Sequence, residues 1–212
     1  MDKGIDELKQ KVRRRWISFA AVAVLLVVVF FFSLTEGSLK LGVGQILRGL
    51  FVSYDGDVAR IYDLRFPRVF IAMLAGAALA TSGTLLQAVM KNPLTDPGII
   101  GISAAANFVN SMVLALSPAL MGFSPLFSIA GGLFAYFLIY TLAWDGGVRP
   151  TRLILVGVAL NMTFIGIGEG IKSVMGRNLS ATQAIIEGNV AQKTWSDVHI
   201  LCLYVIIFLV AA

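Results

Sequence analysis

Two arginines stand three residues apart in the run Arg65-Phe66-Pro67-Arg68. Each carries a planar guanidinium whose N–H fork matches a carboxylate. A pair of such forks suits a partner that presents acidic side chains. The same side chains also anchor a helix at a lipid boundary, with the stem in the apolar layer and the charge in water. A second run, Lys91-Asn92-Pro93-Leu94-Thr95-Asp96-Pro97-Gly98, holds two prolines in eight residues. The residue before a proline is pushed out of helical geometry, so Asn92 and Asp96 each break a helix, and Asp-Pro-Gly favours a tight turn. That stiff segment is either a plain interhelical turn or a rigid element at the mouth of a pore. Glu169 and Lys172 are spaced to pair on one helix face. In the middle of a membrane they would signal ion or proton movement, but Lys172 and Arg177 mark where an apolar run ends and place the pair at its edge. Asn107, Asn110 and Asn161 lie inside apolar runs. There, polar groups bond to neighbouring helices more often than they line a solute path.

Other chemistry is missing from the sequence. It has no Gly-x-x-x-x-Gly-Lys-Ser/Thr loop, no Gly-x-Ser-x-Gly elbow and no His-Glu-x-x-His pair, so nothing argues for an enzyme active site. Cys202 is the single cysteine and His199 the single histidine. They allow no internal disulfide and no familiar zinc site. No catalytic residue, metal ligand or resident cofactor is expected.

The elements that carry these residues are apolar helices. Hydrophobic residues make up 58% of the 212-residue chain and charged residues 14%. That excess leaves too little polar surface for a soluble domain and excludes a disordered one. The net charge of +5 comes from basic residues that flank apolar runs, which points to a membrane rather than to nucleic acid. Six spans are expected, at residues 17–34, 69–90, 99–117, 126–144, 153–167 and 199–212. The second is rich in small residues, including Ala75, Gly76, Ala77, Ala78 and Gly83, which let helix backbones approach closely in lipid. The sixth ends at Ala212 with no polar cap and is short for a bilayer, so the chain reads as cut inside its sixth helix. The cluster Arg13, Arg14 and Arg15 before the first span places the N-terminus in the cytoplasm. Counting helices then puts 35–68, 118–125 and 169–198 outside, and 91–98 and 145–152 inside. Residues 39–50 pattern as a short amphipathic helix on the outer surface. Residues 1–16 form a basic cytoplasmic N-terminus and 17–212 the membrane domain.

The run Arg65-Phe66-Pro67-Arg68, then Gly76-Ala77-Ala78-Leu79-Ala80-Thr81-Ser82-Gly83, Gln87, and Asn92 to Gly98 with Gly101-Ile102-Ser103, resembles one known family. It is the permease family of bacterial and archaeal ABC importers for iron-siderophore, haem and cobalamin. Pro150 to Leu160 and Trp195-Ser196-Asp197-Val198 continue the likeness, which covers residues 17–212. The resemblance implies an all-α polytopic membrane bundle, with about six spanning helices present of about ten. It implies a multi-pass protein of a prokaryotic plasma (inner) membrane. It also implies a second permease subunit (homo- or heterodimer), ATP-binding-cassette ATPase subunits, an extracytoplasmic binding protein and no nucleic acid. Arg65 and Arg68 match the positions where acidic residues of the binding protein dock. Asn92, Pro93, Leu94, Asp96, Pro97 and Gly98, together with Thr151, match elements that help close the cytoplasmic end. Asn161 and Thr163 match a path-lining helix. Ile185 stands where many relatives have tryptophan. The family's coupling segment and last four helices do not appear, so the sequence looks like the N-terminal two-thirds of such a permease.

The expected function is therefore inward transport of a metal chelate by alternating access, driven by ATP on another chain. Iron-siderophore is the default cargo, with haem and cobalamin open. A truncated, non-transporting membrane protein is the competing class. A proton- or sodium-driven transporter would need midplane carboxylates, whereas the only carboxylate near a span is Glu169, at an edge.

Overall fold

A computed structural model describes residues 2–37, 41–51, 55–147, 149–175 and 189–211. The described residues form eight α-helices and no β-strand: α1 (Asp2–Thr35), α2 (Val43–Phe51), α3 (Gly56–Leu64), α4 (Phe66–Met90), α5 (Ile102–Leu116), α6 (Ser124–Ala143), α7 (Pro150–Met175) and α8 (Trp195–Ala211). Short 3-10 turns occupy Pro118–Phe123 and Val190–Gln192. The expected all-α membrane bundle is therefore observed.

Four stretches are long and apolar enough to cross a membrane: Lys9–Thr35, Gly56–Met90, Pro118–Ala143 and Pro150–Ile171. The other two expected spans are present as shorter apolar helices. α5 has 15 residues and α8 has 17, or about 22 and 26 Å against a hydrocarbon core of about 30 Å. The sequence suggested that α5 would start at 99. The Asp96-Pro97-Gly98 turn and a left-handed Gly101 (φ 89°) delay it to Ile102, and Pro118 opens a 3-10 turn at its far end. α8 starts at Trp195, ahead of the expected 199. Asp197 reaches back to accept from the N–H and hydroxyl of Thr194 (2.9 and 3.0 Å), the carboxylate half of a capping box, which sets the first turn. The amphipathic segment expected at 39–50 appears as α2. α3 was not anticipated.

The chain divides into two compact units, Met1–Met73 with Lys193–Leu201, and Leu74–Gln192 with Cys202–Ala212. The first has a core of Leu34, Ile46, Ile61 and Phe66, ringed by Phe30, Val69, Phe70 and Trp195. Its aromatic rings meet edge to face, with Phe30 lying 6.0 Å from Phe66 and 5.9 Å from Phe70. This geometry favours the rings' quadrupoles. Along α1 the side chains of Trp16, Phe19, Val22 and Leu25 stand exposed. A helix apolar all round fits lipid or protein surroundings rather than water.

The second unit is built on α5, α6 and α7. Ile100, Ala105, Ala135, Ile139 and Phe164 form its core, with Leu86, Leu153, Val156 and Leu160 packed on it. Glycines set the spacing. A Cβ at Gly131 would stand 2.8 Å from the Ala105 carbonyl oxygen, and one at Gly157 would stand 2.9 Å from that of Ile100. Without a strong hydrophobic drive between helices in lipid, such close backbone approach is what holds them together.

Candidate functional site

The two arginines sit inside the first unit at the one-residue junction of α3 and α4, the elbow. α3 and α4 are nearly continuous and are separated only by Arg65. Pro67 explains the break: it has no N–H to give to the Asp63 carbonyl, and its ring crowds that carbonyl. Arg65 closes α3 by donating its N–H to Ile61 O at 2.8 Å, and its own carbonyl accepts from the Val69 N–H at 3.1 Å. Pro67 and Phe66 are buried, while both arginines are half-buried.

Arg65 already works within the chain. Its Nη1 donates to the Leu34 carbonyl at 2.6 Å. That carbonyl is one of the last four of α1, which lack partners in their own helix and carry the negative end of its dipole. Trp195 does the same for α3, its indole N–H donating to Tyr62 O at 3.1 Å. The Trp195 ring lies 4.8 Å from Tyr62 and 5.7 Å from Phe70. Arg68 is in a different state. Its Nε is buried with no hydrogen-bond partner among the described residues.

The proline-rich loop lies in the second unit and consists of two Asx turns in series. Asn92 Oδ1 accepts the Leu94 N–H at 3.0 Å, and Asp96 Oδ1 accepts the Gly98 N–H at 2.6 Å. Thr95 is 95% buried; its hydroxyl donates to Asn92 O at 3.0 Å, and its carbonyl accepts from Gln87 Nε2 at 3.3 Å. These bonds satisfy backbone that neither flanking helix can use. Leu94 rides the tip at 86% exposure. The loop runs into Ile100, whose carbonyl oxygen lies 2.9 Å from the Cβ position of Gly157 on α7. Thr151, exposed in the first turn of α7, therefore lies at the same end of this unit as the loop. At that end Arg152 pairs with Asp145 at 2.6 Å.

Residues 25–212 match the family model of the FecCD transport family. The chain belongs to the FecCD transport family. It is similar to the protein named "Probable heme-iron transport system permease protein IsdF" in Staphylococcus aureus strains MSSA476 and MW2, with 32% identity over 93% of this chain and 59% of each relative. It thus spans about three-fifths of the length of these relatives. A solved ABC transporter of metal-chelate type in an inward-facing conformation shares the fold. Its TM-score is 0.70 at 24% identity, covering 88% of this chain and 58% of that one.

The other residues singled out in the sequence fall as follows. Asn161 and Thr163 lie two residues apart on α7, about 160° apart around its axis, so they face different directions. Asn161 presents its backbone to Gly101, whose Cβ would lie 2.9 Å from Asn161 N. The Thr163 hydroxyl donates to Ala159 O at 2.8 Å on its own helix. Asn107 is exposed, while Asn110 is 94% buried with its Oδ1 unpartnered among the described residues. α7 runs on past Glu169, which is exposed; the Lys172 side chain and Ile185 lie outside the described residues. No cluster able to hold a metal ion occurs among the described residues. The roles of Trp195, Gly101 and Gly157 were not legible from residue type. The only hint was that all three sit in runs that resemble the family.

Proposed function

We propose that this chain is the N-terminal part of a permease subunit that imports a ferric chelate, siderophore or haem, by alternating access. ATP is hydrolysed by a separate ATP-binding-cassette subunit, a second permease subunit completes the path, and an extracytoplasmic binding protein delivers the cargo. The observation that carries this reading is the Arg65–Arg68 elbow in a FecCD chain that is 32% identical to a protein named for heme-iron transport. That name favours haem over siderophore as the first cargo to test.

In this reading the N-terminus is cytoplasmic and the elbow faces outward. Arg65 and Arg68 receive carboxylates of the binding protein. A carboxylate would pair with the Nη groups of Arg68, whose Nε is buried with no hydrogen-bond partner among the described residues. The Asn92–Gly98 loop, with Thr151 near it, closes the inner end. Stiffness suits a gate, because the exposed Leu94 is then carried as a fixed apolar plug.

The test is ATP-dependent uptake of labelled haem and of ferric siderophore into proteoliposomes holding the full-length permease, its ATPase and its binding protein. The Arg65→Glu/Arg68→Glu double variant, and Arg68→Glu alone, which leaves the Arg65 bond to Leu34 in place, should each lose at least about tenfold in uptake while the complex still assembles, because like charges now face each other. Unchanged uptake would sink the docking assignment. No uptake of either cargo by the wild type would sink the importer reading.

A further inference from the structure

We propose that the backbone from Leu34 to Gly37 is a cradle that fixes the Arg65 guanidinium in the posture a partner's carboxylate needs. The inference rests on the docking reading above and adds Gly37 to it as a positioning residue. Gly37 has φ 139°, a conformation that side-chain-bearing residues rarely adopt. A Cβ at Gly37 would stand 2.6 Å from Arg65 Nη2, 2.9 Å from Cζ and 3.4 Å from Nε. The chain therefore passes over the flat guanidinium with room for nothing larger than hydrogen. On another side Nη1 is bonded to the Leu34 carbonyl at 2.6 Å. Leu34 itself is fully buried in the core of this unit, so the acceptor cannot drift. An arginine on a free stem must lose several rotors when it docks. One held by a buried carbonyl and a bare backbone has lost them beforehand, and its planar fork points in one direction.

The cradle predicts that Gly37 acts on capture through Arg65, the backbone strain of an alanine at φ 139° being common to both backgrounds. The test uses full-length permease with its ATPase in lipid nanodiscs. The probe is the labelled soluble binding protein that sustains uptake by the same importer. Its Kd is measured for wild type, Gly37→Ala, Arg65→Ala and the double variant. Gly37→Ala should weaken capture about fivefold, in line with coupling between touching residues, and less than about twofold once Arg65 is already alanine. Equal losses in both backgrounds would overturn the cradle and leave docking intact. If Arg65→Ala alone leaves Kd unchanged, docking at this residue is wrong and the cradle falls with it. Should Gly37→Ala fail to assemble, Arg65→Lys answers the same question. Lysine keeps the charge but has no planar fork, so capture should fall about fivefold if posture matters. Capture within about twofold of wild type would show that charge alone suffices and would overturn the inference.

Discussion

Gly101 offers the sharpest test of how the second unit is packed. It stands at φ 89° just before α5, where a Cβ costs about 1–2 kcal/mol of backbone strain. That Cβ would also meet Asn161 N at 2.9 Å, Gly157 O at 3.0 Å and Asn161 Cα at 3.1 Å. All three are backbone atoms of α7 and cannot rotate aside, so relief requires moving a helix. Overpacking of this kind costs about 1–3 kcal/mol. Gly101→Ala should therefore destabilise the protein by about 2–5 kcal/mol. That is a large share of a total stability of about 5–15 kcal/mol. Gly166→Ala is the control. It lies within α7 with no described atom beyond its own helix backbone inside 4 Å of its Cβ position, and there alanine should be neutral or stabilising by up to about 1 kcal/mol. The assay is reversible unfolding of the purified full-length permease in mixed micelles, titrated with dodecyl sulfate and followed by tryptophan fluorescence. A Gly101→Ala loss below about 0.5 kcal/mol would refute the close approach of loop and α7. Equal losses at both glycines would refute the claim that backbone proximity, rather than helix flexibility, is what glycine supplies.

Two further outcomes follow from local hydrogen bonding. Asn92→Ala removes the acceptor of the Leu94 N–H and should loosen the loop by about 1 kcal/mol. This is read as faster amide exchange at Leu94 and Thr95 with little change elsewhere; unchanged exchange would mean that the two prolines alone set the loop. Asp197 lies ahead of the span expected from 199. Partial burial pushes its carboxyl up, but bonds from the Thr194 N–H and hydroxyl and the nearby Lys193 outweigh this and hold it below its usual value near 3.8. A depressed carboxyl stabilises the fold above its unfolded value and ceases to as pH falls through the folded one. The start of α8 should therefore fray in acid below about pH 4, and Asp197→Asn should abolish that acid dependence in amide exchange at Thr194.

The helices were legible because lipid-facing sequence has little choice of pattern. A backbone in hydrocarbon must satisfy itself within its own segment, so apolar length alone announces α1, α4, α6 and α7. The Asn92–Gly98 loop was legible for a different reason. Asn-Pro and Asp-Pro-Gly encode their turns within a few residues, and the observed bonds span only two or three positions. α3 escaped notice because its nine residues include two aspartates and an arginine, and only Val58 and Ile61 of its apolar residues are buried. Its last carbonyls are satisfied in part by Trp195, 133 residues later.

That separation shows where sequence reading gives out. Arg65 offered a guanidinium fork, and residue type left it between a partner's carboxylate and a lipid boundary. The fold spends one of its donors on Leu34, 31 residues earlier in the chain, which neither propensity nor spacing encodes. The consequence bears on how the elbow is to be understood. Arg65 both ends α1 and stands beside Arg68, so replacing it perturbs structure and charge together. Arg68, whose buried Nε has no partner among the described residues, is the cleaner reporter of charge. Arg68→Ala and Arg65→Ala are therefore not equivalent, although the sequence writes them as a symmetrical pair around Phe66-Pro67. A partner that reads only charge would respond alike to both losses. One that needs a fixed fork would be the more sensitive to Arg65, because only that guanidinium is held by a carbonyl the core keeps in place.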